Sequence, residues 1–143
     1  MNQMTAIKSA PPVQPLAAIS PEFAAALAAY RRAAEVSARY DDEIYDQPHA
    51  AWREAVDAIV HLNDPQARQA EEDRLRACYN IDLLGDESNR LTDLSCDAMH
   101  AVEEYPVDTL VDLIAKIEFS QKTGGLLVHE DLLSDLRRIA GEA

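Results

Sequence analysis

Apolar residues near the C-terminal end of the chain recur at helical spacing and predict two amphipathic helices joined by a turn. At about 100° per residue, the apolar positions of the first helix form one stripe, Leu110, Leu113, Ile114 and Ile117. Asp108, Asp112 and Lys116 fall on the opposite side, and a surface helix normally turns such charges to water. The pattern therefore predicts that the leucines and isoleucines are buried and that these charges are exposed.

The second helix of this hairpin follows Gly124 and Gly125, two residues that permit the positive φ at which helices often end. Its apolar stripe consists of Val128, Leu132, Leu133, Leu136 and Ile139. Arg137 and Arg138 stand in its last turn, where positive charge suits the helix dipole. Phe119 departs from the pattern, because it lies roughly opposite the apolar stripe of the first helix.

Four more helices are predicted before the hairpin, at residues 21–45, 50–62, 65–84 and 87–104. A capping residue followed by proline starts two of them, at Ser20-Pro21 and at Asn63-Asp64-Pro65. Pro48 and Pro106 mark two further boundaries, and Gly85 closes the third helix. Because no run alternates β-branched with polar residues, the chain is predicted to be all-α.

The length of 143 residues predicts a single domain, a compact bundle of about six helices over residues 20–143. Residues 1–19 contain three prolines, little charge and no periodicity, which predicts a mobile N-terminal tail. No apolar run reaches the roughly 18 residues that a membrane span needs. Two cysteines and no recognisable signal peptide predict a cytoplasmic protein.

The third predicted helix has apolar residues on two sides. Its main stripe contains Cys78, which predicts an ordinary buried thiol, and also Arg74, whose charge must then be paired or reach water. Tyr79 and Leu83 lie on the opposite side. Either this helix is central and covered on both sides, or Tyr79 and Leu83, together with Phe119, form a contact surface for another subunit.

His100 is the histidine with the richest surroundings, since Asp97 and Glu104 share its side of the fourth helix. One cation could bridge the three side chains. A di-metal helical bundle, however, needs Glu-x-x-His on two helices and a glutamate from each of two others, and the chain has a single Asp-x-x-His. A solvated, ion-paired surface is therefore the favoured interpretation.

No other chemistry is indicated by the motifs. Cys78 and Cys96 are 18 positions apart, a spacing that matches no zinc or redox motif. Phosphate-binding glycine loops, Gly-x-Ser-x-Gly and His-Glu-x-x-His are absent from the sequence. The chain is accordingly predicted not to be an enzyme and to need no cofactor.

The charge balance is strongly acidic, with 26 acidic and 13 basic residues and a net charge of −13. Such a chain should repel nucleic acid and anionic membranes. Between Arg90 and Lys116 there are six acids and no base, namely Asp93, Asp97, Glu103, Glu104, Asp108 and Asp112. We call these six the predicted acidic face. It either keeps a small protein soluble or imitates the phosphates of DNA toward a basic partner.

Two C-terminal segments carry a resemblance to known proteins: Thr109 to Phe119 (TLVDLIAKIEF) and Asp135 to Gly141 (DLRRIAG). Together they resemble the ending of small uncharacterised helical proteins of bacteria, many of them prophage- or plasmid-borne. The resemblance covers the hairpin, about the last 35 residues, and implies a helical fold in a bacterial cytoplasm. It brings no catalytic residue with it.

The leading hypothesis is a small interaction protein, oligomeric or bound to another protein, that neither binds nucleic acid directly nor enters membranes. One version is an inhibitor or regulator from a phage or mobile element, whose predicted acidic face, with Phe119 beside it, contacts a nucleic-acid-binding partner. The alternative is a metal-binding bundle or small enzyme that uses His100 with Asp97 and Glu104.

Overall fold

A computed structural model of the protein describes residues 18–125, 127 and 129–141, with residue 129 described as backbone alone. Of the predicted tail, only Ala18 and Ile19 fall within these ranges. Val128, which belongs to the predicted apolar stripe of the second hairpin helix, lies outside the described residues.

All the regular secondary structure in the described ranges is helical. The elements are α1 (Pro21–Tyr40), a π-helical turn (Asp41–Tyr45), α2 (Asp46–Ala58), α3 (Pro65–Cys78), α4 (Ile81–Glu103), α5 (Leu110–Thr123) and α6 (His129–Ile139). Because α1, the π turn and α2 run on without a break, the described residues form five separate helices. The all-α class is thus confirmed, and the expectation of about six helices was slightly too high.

The helix boundary predicted at Pro48 is wrong, since Pro48 lies inside α2. Proline has no N–H to donate, and its ring crowds the carbonyl four residues earlier, here that of Ile44. The π-helical turn Asp41–Tyr45 comes just before it, and such a turn is one way in which a helix absorbs a local mismatch without ending.

The boundary predicted at Gly85 is also wrong. The break lies at Asn80, whose φ of 53° is left-handed, a conformation that asparagine tolerates better than most residues. Helix α4 then begins at Ile81 and continues through Gly85. A Cβ on Gly85 would lie 3.8 Å from the ring of Tyr45, so the π turn packs closely against this part of α4.

Helix α3 packs through Leu75, which is its buried residue. Cys78, predicted to be buried, is exposed, and so is Cys96. Arg74 is exposed as well, and its Nε donates to Glu71 Oε2 at 2.9 Å. The hydrogen bond from Arg74 lowers the pKa of Glu71. The apolar stripe predicted for this helix is therefore not its packing face.

The main apolar core lies between α1, the end of α4 and the hairpin. Its buried members are Phe23, Leu27, Val102, Val107 and Leu113. Leu132 and Ile139 of α6 pack against it and are partly buried. No helix in the described parts of the chain combines the length and the apolar character that crossing a membrane requires.

Candidate interaction surfaces

Helix α5 is packed with two of its charged side chains inward and half of its predicted apolar stripe outward. Leu110 and Ile114 are 58% and 49% exposed, whereas Asp112 and Lys116 are 2% and 1% exposed. Leu113 is the member of the predicted stripe that is fully buried. The prediction that Asp112 and Lys116 face water is therefore wrong.

A network of charged and backbone groups explains how Lys116 can be buried. Its Nζ donates to Asp135 Oδ2 at 2.7 Å and to the Tyr105 carbonyl at 2.9 Å. The other oxygen of Asp135 accepts from the Val107 amide at 3.2 Å and from Arg138 Nη1 at 2.8 Å. Charges are tolerated inside a protein when they are paired and hydrogen-bonded in this way.

The same contacts lower the pKa of the Asp135 carboxyl. Burial by itself raises the pKa of its carboxyl, but the hydrogen bonds from Lys116, Arg138 and the Val107 amide outweigh burial and leave the pKa below its ordinary value. The network joins α5, α6 and the segment between α4 and α5. It therefore fixes the orientation of the whole hairpin.

Two members of the predicted acidic face belong to the interior and not to the surface. Asp112 Oδ1 accepts from the backbone N–H of Ser20 at 2.9 Å, which ties the start of α1 to α5. Glu103 is only 6% exposed and accepts from Ser120 Oγ at 3.1 Å. The backbone of Gly125 lies so close that a Cβ there would overlap the Glu103 carboxylate. These two acids hold elements together.

Asp108 and Phe119 are also held by neighbours. Asp108 is exposed but lies 3.5 Å from Arg138 Nε. Phe119 is half-buried, with its ring edge-on to Tyr30 at a centroid distance of 4.9 Å. It lines a cavity of about 310 Å³ between α1 and α5. Phe119 therefore belongs mainly to the margin of the core.

The other three members, Asp93, Asp97 and Glu104, are exposed along α4 or at its end. Two further acids extend their row toward the start of the helix. At about 100° per residue, five carboxylates fall within an arc of roughly 60°: Asp82, Asp86, Asp93, Asp97 and Glu104, all exposed. We call these five the α4 acid stripe.

Among the described residues, one member of the α4 acid stripe has a counter-ion. Asp82 lies 3.2 Å from Arg76 Nη1. Within the described ranges, no cationic side chain comes within 4 Å of the remaining four carboxylates. Sequence reasoning missed Asp82 and Asp86 because it ended a helix at Gly85, which put Asp82 at the end of one predicted helix and left Asp86 in the gap before the next.

The arrangement does not favour a metal site. His100 and its neighbours Asp97 and Glu104 are exposed on α4 or at its end. Among the residues that the structure describes, no group of three or more histidine, cysteine or acidic side chains could hold a metal ion, this trio included.

Comparison with known proteins identifies no relative of this chain. A scan against protein-family models and searches of curated proteins and of solved structures found no match to the chain. The resemblance of the hairpin to small helical proteins of bacteria therefore stays a prediction.

Proposed function

We propose that the protein acts by binding another protein, to which it presents the α4 acid stripe, and that the partner is a nucleic-acid-binding protein with a basic cleft. The observation that carries the proposal is the absence of a nearby cation at four of the five carboxylates within the described residues. Like charges held in one row repel one another, and a basic surface relieves that repulsion when it binds.

The spacing of the stripe supports a partner that ordinarily binds phosphates. At 1.5 Å per residue, Asp82 and Asp86 lie about 6 Å apart along the helix axis, as do Asp93 and Asp97. This is close to two phosphate steps along one strand of duplex DNA, each about 3.4 Å along the axis. Four of the five carboxylates lie on the single continuous helix α4, which is 23 residues long, and Glu104 follows directly after it.

The charge of the whole chain acts in the same direction. A net charge of −13 speeds encounter with a basic surface and opposes direct binding to nucleic acid. A more specific form of the proposal is an inhibitor or regulator encoded by a phage or mobile element and acting in the bacterial cytoplasm. That form has the additional support of the hairpin resemblance.

The test compares two variants that lose the same number of charges. The stripe variant carries Asp86→Asn, Asp93→Asn, Asp97→Asn and Glu104→Gln. The control carries Asp42→Asn, Glu43→Gln, Asp46→Asn and Asp57→Asn, four exposed acids of the π turn and α2. Each immobilised protein is exposed to a nuclease-treated bacterial lysate, and bound proteins are released with rising salt or with duplex DNA.

The expected result is that the native chain and the control retain the same DNA-binding proteins, that duplex DNA displaces them, and that the stripe variant retains none. Retention that is equal for all three chains, or that DNA does not displace, would contradict the proposal. Circular dichroism of each chain checks that its helices are intact.

A further inference from the structure

The outward side of the α5–α6 hairpin is apolar where a solvated helix would carry charge. Besides Leu110 and Ile114 of α5, Leu133 and Leu136 of α6 are 45% and 43% exposed. We call these four residues the hairpin outer face. Together they expose an area on the order of 350 Å², the size of the largest apolar patch on an ordinary monomer, and such a patch is often functional.

Two ion pairs between the hairpin segments indicate that the helices run antiparallel, and this places the four residues on one side of the hairpin. Lys116 meets Asp135 at mid-helix, and Arg138 near the end of α6 meets Asp108 just before α5. Viewed down the axis of α5, Leu110 and Ile114 are rotated by about 120–160° from Lys116. Viewed down the axis of α6, Leu133 and Leu136 are rotated by about 100–160° from Asp135. In an antiparallel pair these rotations lead to the same side.

Helix α1 covers a different side of α5. Its start is bound to Asp112 through the Ser20 amide, and its Tyr30 packs on Phe119. Both contacts lie on the flank of α5 that points away from Leu110 and Ile114. The hairpin outer face is thus left without a covering helix in the described part of the chain.

Charges at the edges of this face show what kind of partner fits. The edge of α5 carries Glu118 and Lys122, and the edge of α6 carries Glu130 and Arg137, all exposed. None of the four has an opposite charge within 4 Å among the described residues. The edges sum to zero charge on a chain whose net charge is −13, so they favour a partner surface that itself carries both acidic and basic side chains.

We propose that the hairpin outer face is the interface of a homodimer, in which α5 of one copy lies along α6 of the other about a two-fold axis parallel to the hairpin. Such an interface is self-complementary. A stable interface buries about 800 Å² on each partner. The hairpin outer face provides about 350 Å² of this, so the charged edges must be part of the contact as well.

The charged edges match in this arrangement. Lys116 and Asp135 lie at the same height along the hairpin axis. Glu118 lies two residues above that height and Arg137 of the other copy two residues below it, so the two are about 6 Å apart along the axis, a distance that long side chains can span. Lys122 lies six residues above that height and Glu130 five, so the two differ by only about 1.5 Å. Each copy therefore offers two acid–base pairs to the other.

The dimer does not rest on the proposed function, because the α4 acid stripe belongs to a different helix and either proposal can fail alone. The first test is the mass of the full chain in solution over a dilution series, measured by light scattering and sedimentation. The expected mass is that of two chains at high concentration, falling to one on dilution. A single-chain mass at every concentration would overturn the proposal.

Matched variants locate the interface. Ile114→Glu with Leu133→Glu should weaken self-association at least 100-fold, because it places like charges in the apolar centre. Val60→Glu with Leu83→Glu, at two sites that are each 70% exposed outside the hairpin, should leave it unchanged. Equal weakening by both pairs, with helix content intact, would count against the hairpin.

Charge reversal identifies the partner as a second copy. One variant reverses the α5 edge, Glu118→Arg with Lys122→Glu, and another reverses the α6 edge, Glu130→Lys with Arg137→Glu. Each should self-associate about 10-fold more weakly than the native chain, since both edge contacts become repulsive. A mixture of the two should recover native association, because each edge then meets its opposite. If mixing restores nothing, the arrangement of α5 on the partner's α6 is wrong.

Discussion

Removal of either member of the Lys116–Asp135 pair should destabilise the fold strongly and unequally. Both side chains are at most 3% exposed and their charged atoms are 2.7 Å apart, and breaking a buried pair typically costs about 3–5 kcal/mol. In Lys116→Met, Asp135 still has Arg138 and the Val107 amide, so we expect the lower end of that range. In Asp135→Leu, the Lys116 ammonium keeps only the Tyr105 carbonyl, so we expect the upper end.

The double variant, Lys116→Met with Asp135→Leu, separates the pair from the rest of the site. It leaves no isolated charge in the interior. What remains is the Val107 amide without its acceptor and the Tyr105 carbonyl without its donor, each a loss of about 1–3 kcal/mol. The double variant should therefore be more stable than Asp135→Leu alone. The coupling energy between the two substitutions should exceed about 2 kcal/mol.

The assay is urea unfolding followed by far-ultraviolet circular dichroism, at one fixed protein concentration because association adds to apparent stability. For a domain whose total stability is about 5–15 kcal/mol, both single changes lie well outside experimental error. Single variants within 1 kcal/mol of the native chain, with additive effects, would refute the burial of this pair and with it the inward polar side of α5.

Three further outcomes follow from the same contacts. The pKa of Asp135 is lowered in the folded protein, so its ionised carboxylate contributes to the free energy of unfolding at any pH above the ordinary aspartate pKa of roughly 3.9. This contribution is lost as the pH falls toward the folded-state pKa. On acid titration, Asp135→Asn should therefore lose stability less steeply than the native chain. Gly125→Ala should cost about 1–3 kcal/mol in urea unfolding because its Cβ overlaps Glu103, and a Glu103→Ala background should remove most of that cost. Asp112→Ala should cost about 1.5–3 kcal/mol through the lost Ser20 contact, whereas the exposed Asp93→Ala should stay within about 0.5 kcal/mol; equal effects at the two aspartates would contradict their different burial.

The sequence predicts that helices exist more reliably than it predicts which side of a helix is buried. The hairpin is present where its apolar spacing and glycine turn indicate. Its first helix is nevertheless rotated, because Lys116 and Asp112 find partners in Asp135 and Ser20. Those partners lie 19 and 92 positions away in the chain, and a periodicity confined to one helix carries no information about them.

The helix ends predicted from single proline and glycine residues were wrong where neighbouring structure allows the helix to continue. Pro48 is tolerated after the π-helical turn, and Gly85 is tolerated where the Tyr45 ring packs against α4. The second error had a consequence for function, because it separated Asp82 and Asp86 from the predicted helix that carries Asp93, Asp97 and Glu104. Asp93, Asp97 and Glu104 share one side of a helix that the sequence predicts, but Asp82 and Asp86 join their row only because α4 begins at Ile81.

The most direct test of the proposed function is the salt dependence of binding to a DNA-binding protein retained by the native chain. The logarithm of the dissociation constant should rise steeply with the logarithm of the salt concentration for the native chain and for the four-charge control. For the stripe variant, which lacks Asp86, Asp93, Asp97 and Glu104 as charges, binding should be weak and its salt slope much smaller. A salt slope that is the same for all three chains would contradict the assignment of the α4 acid stripe as the binding surface.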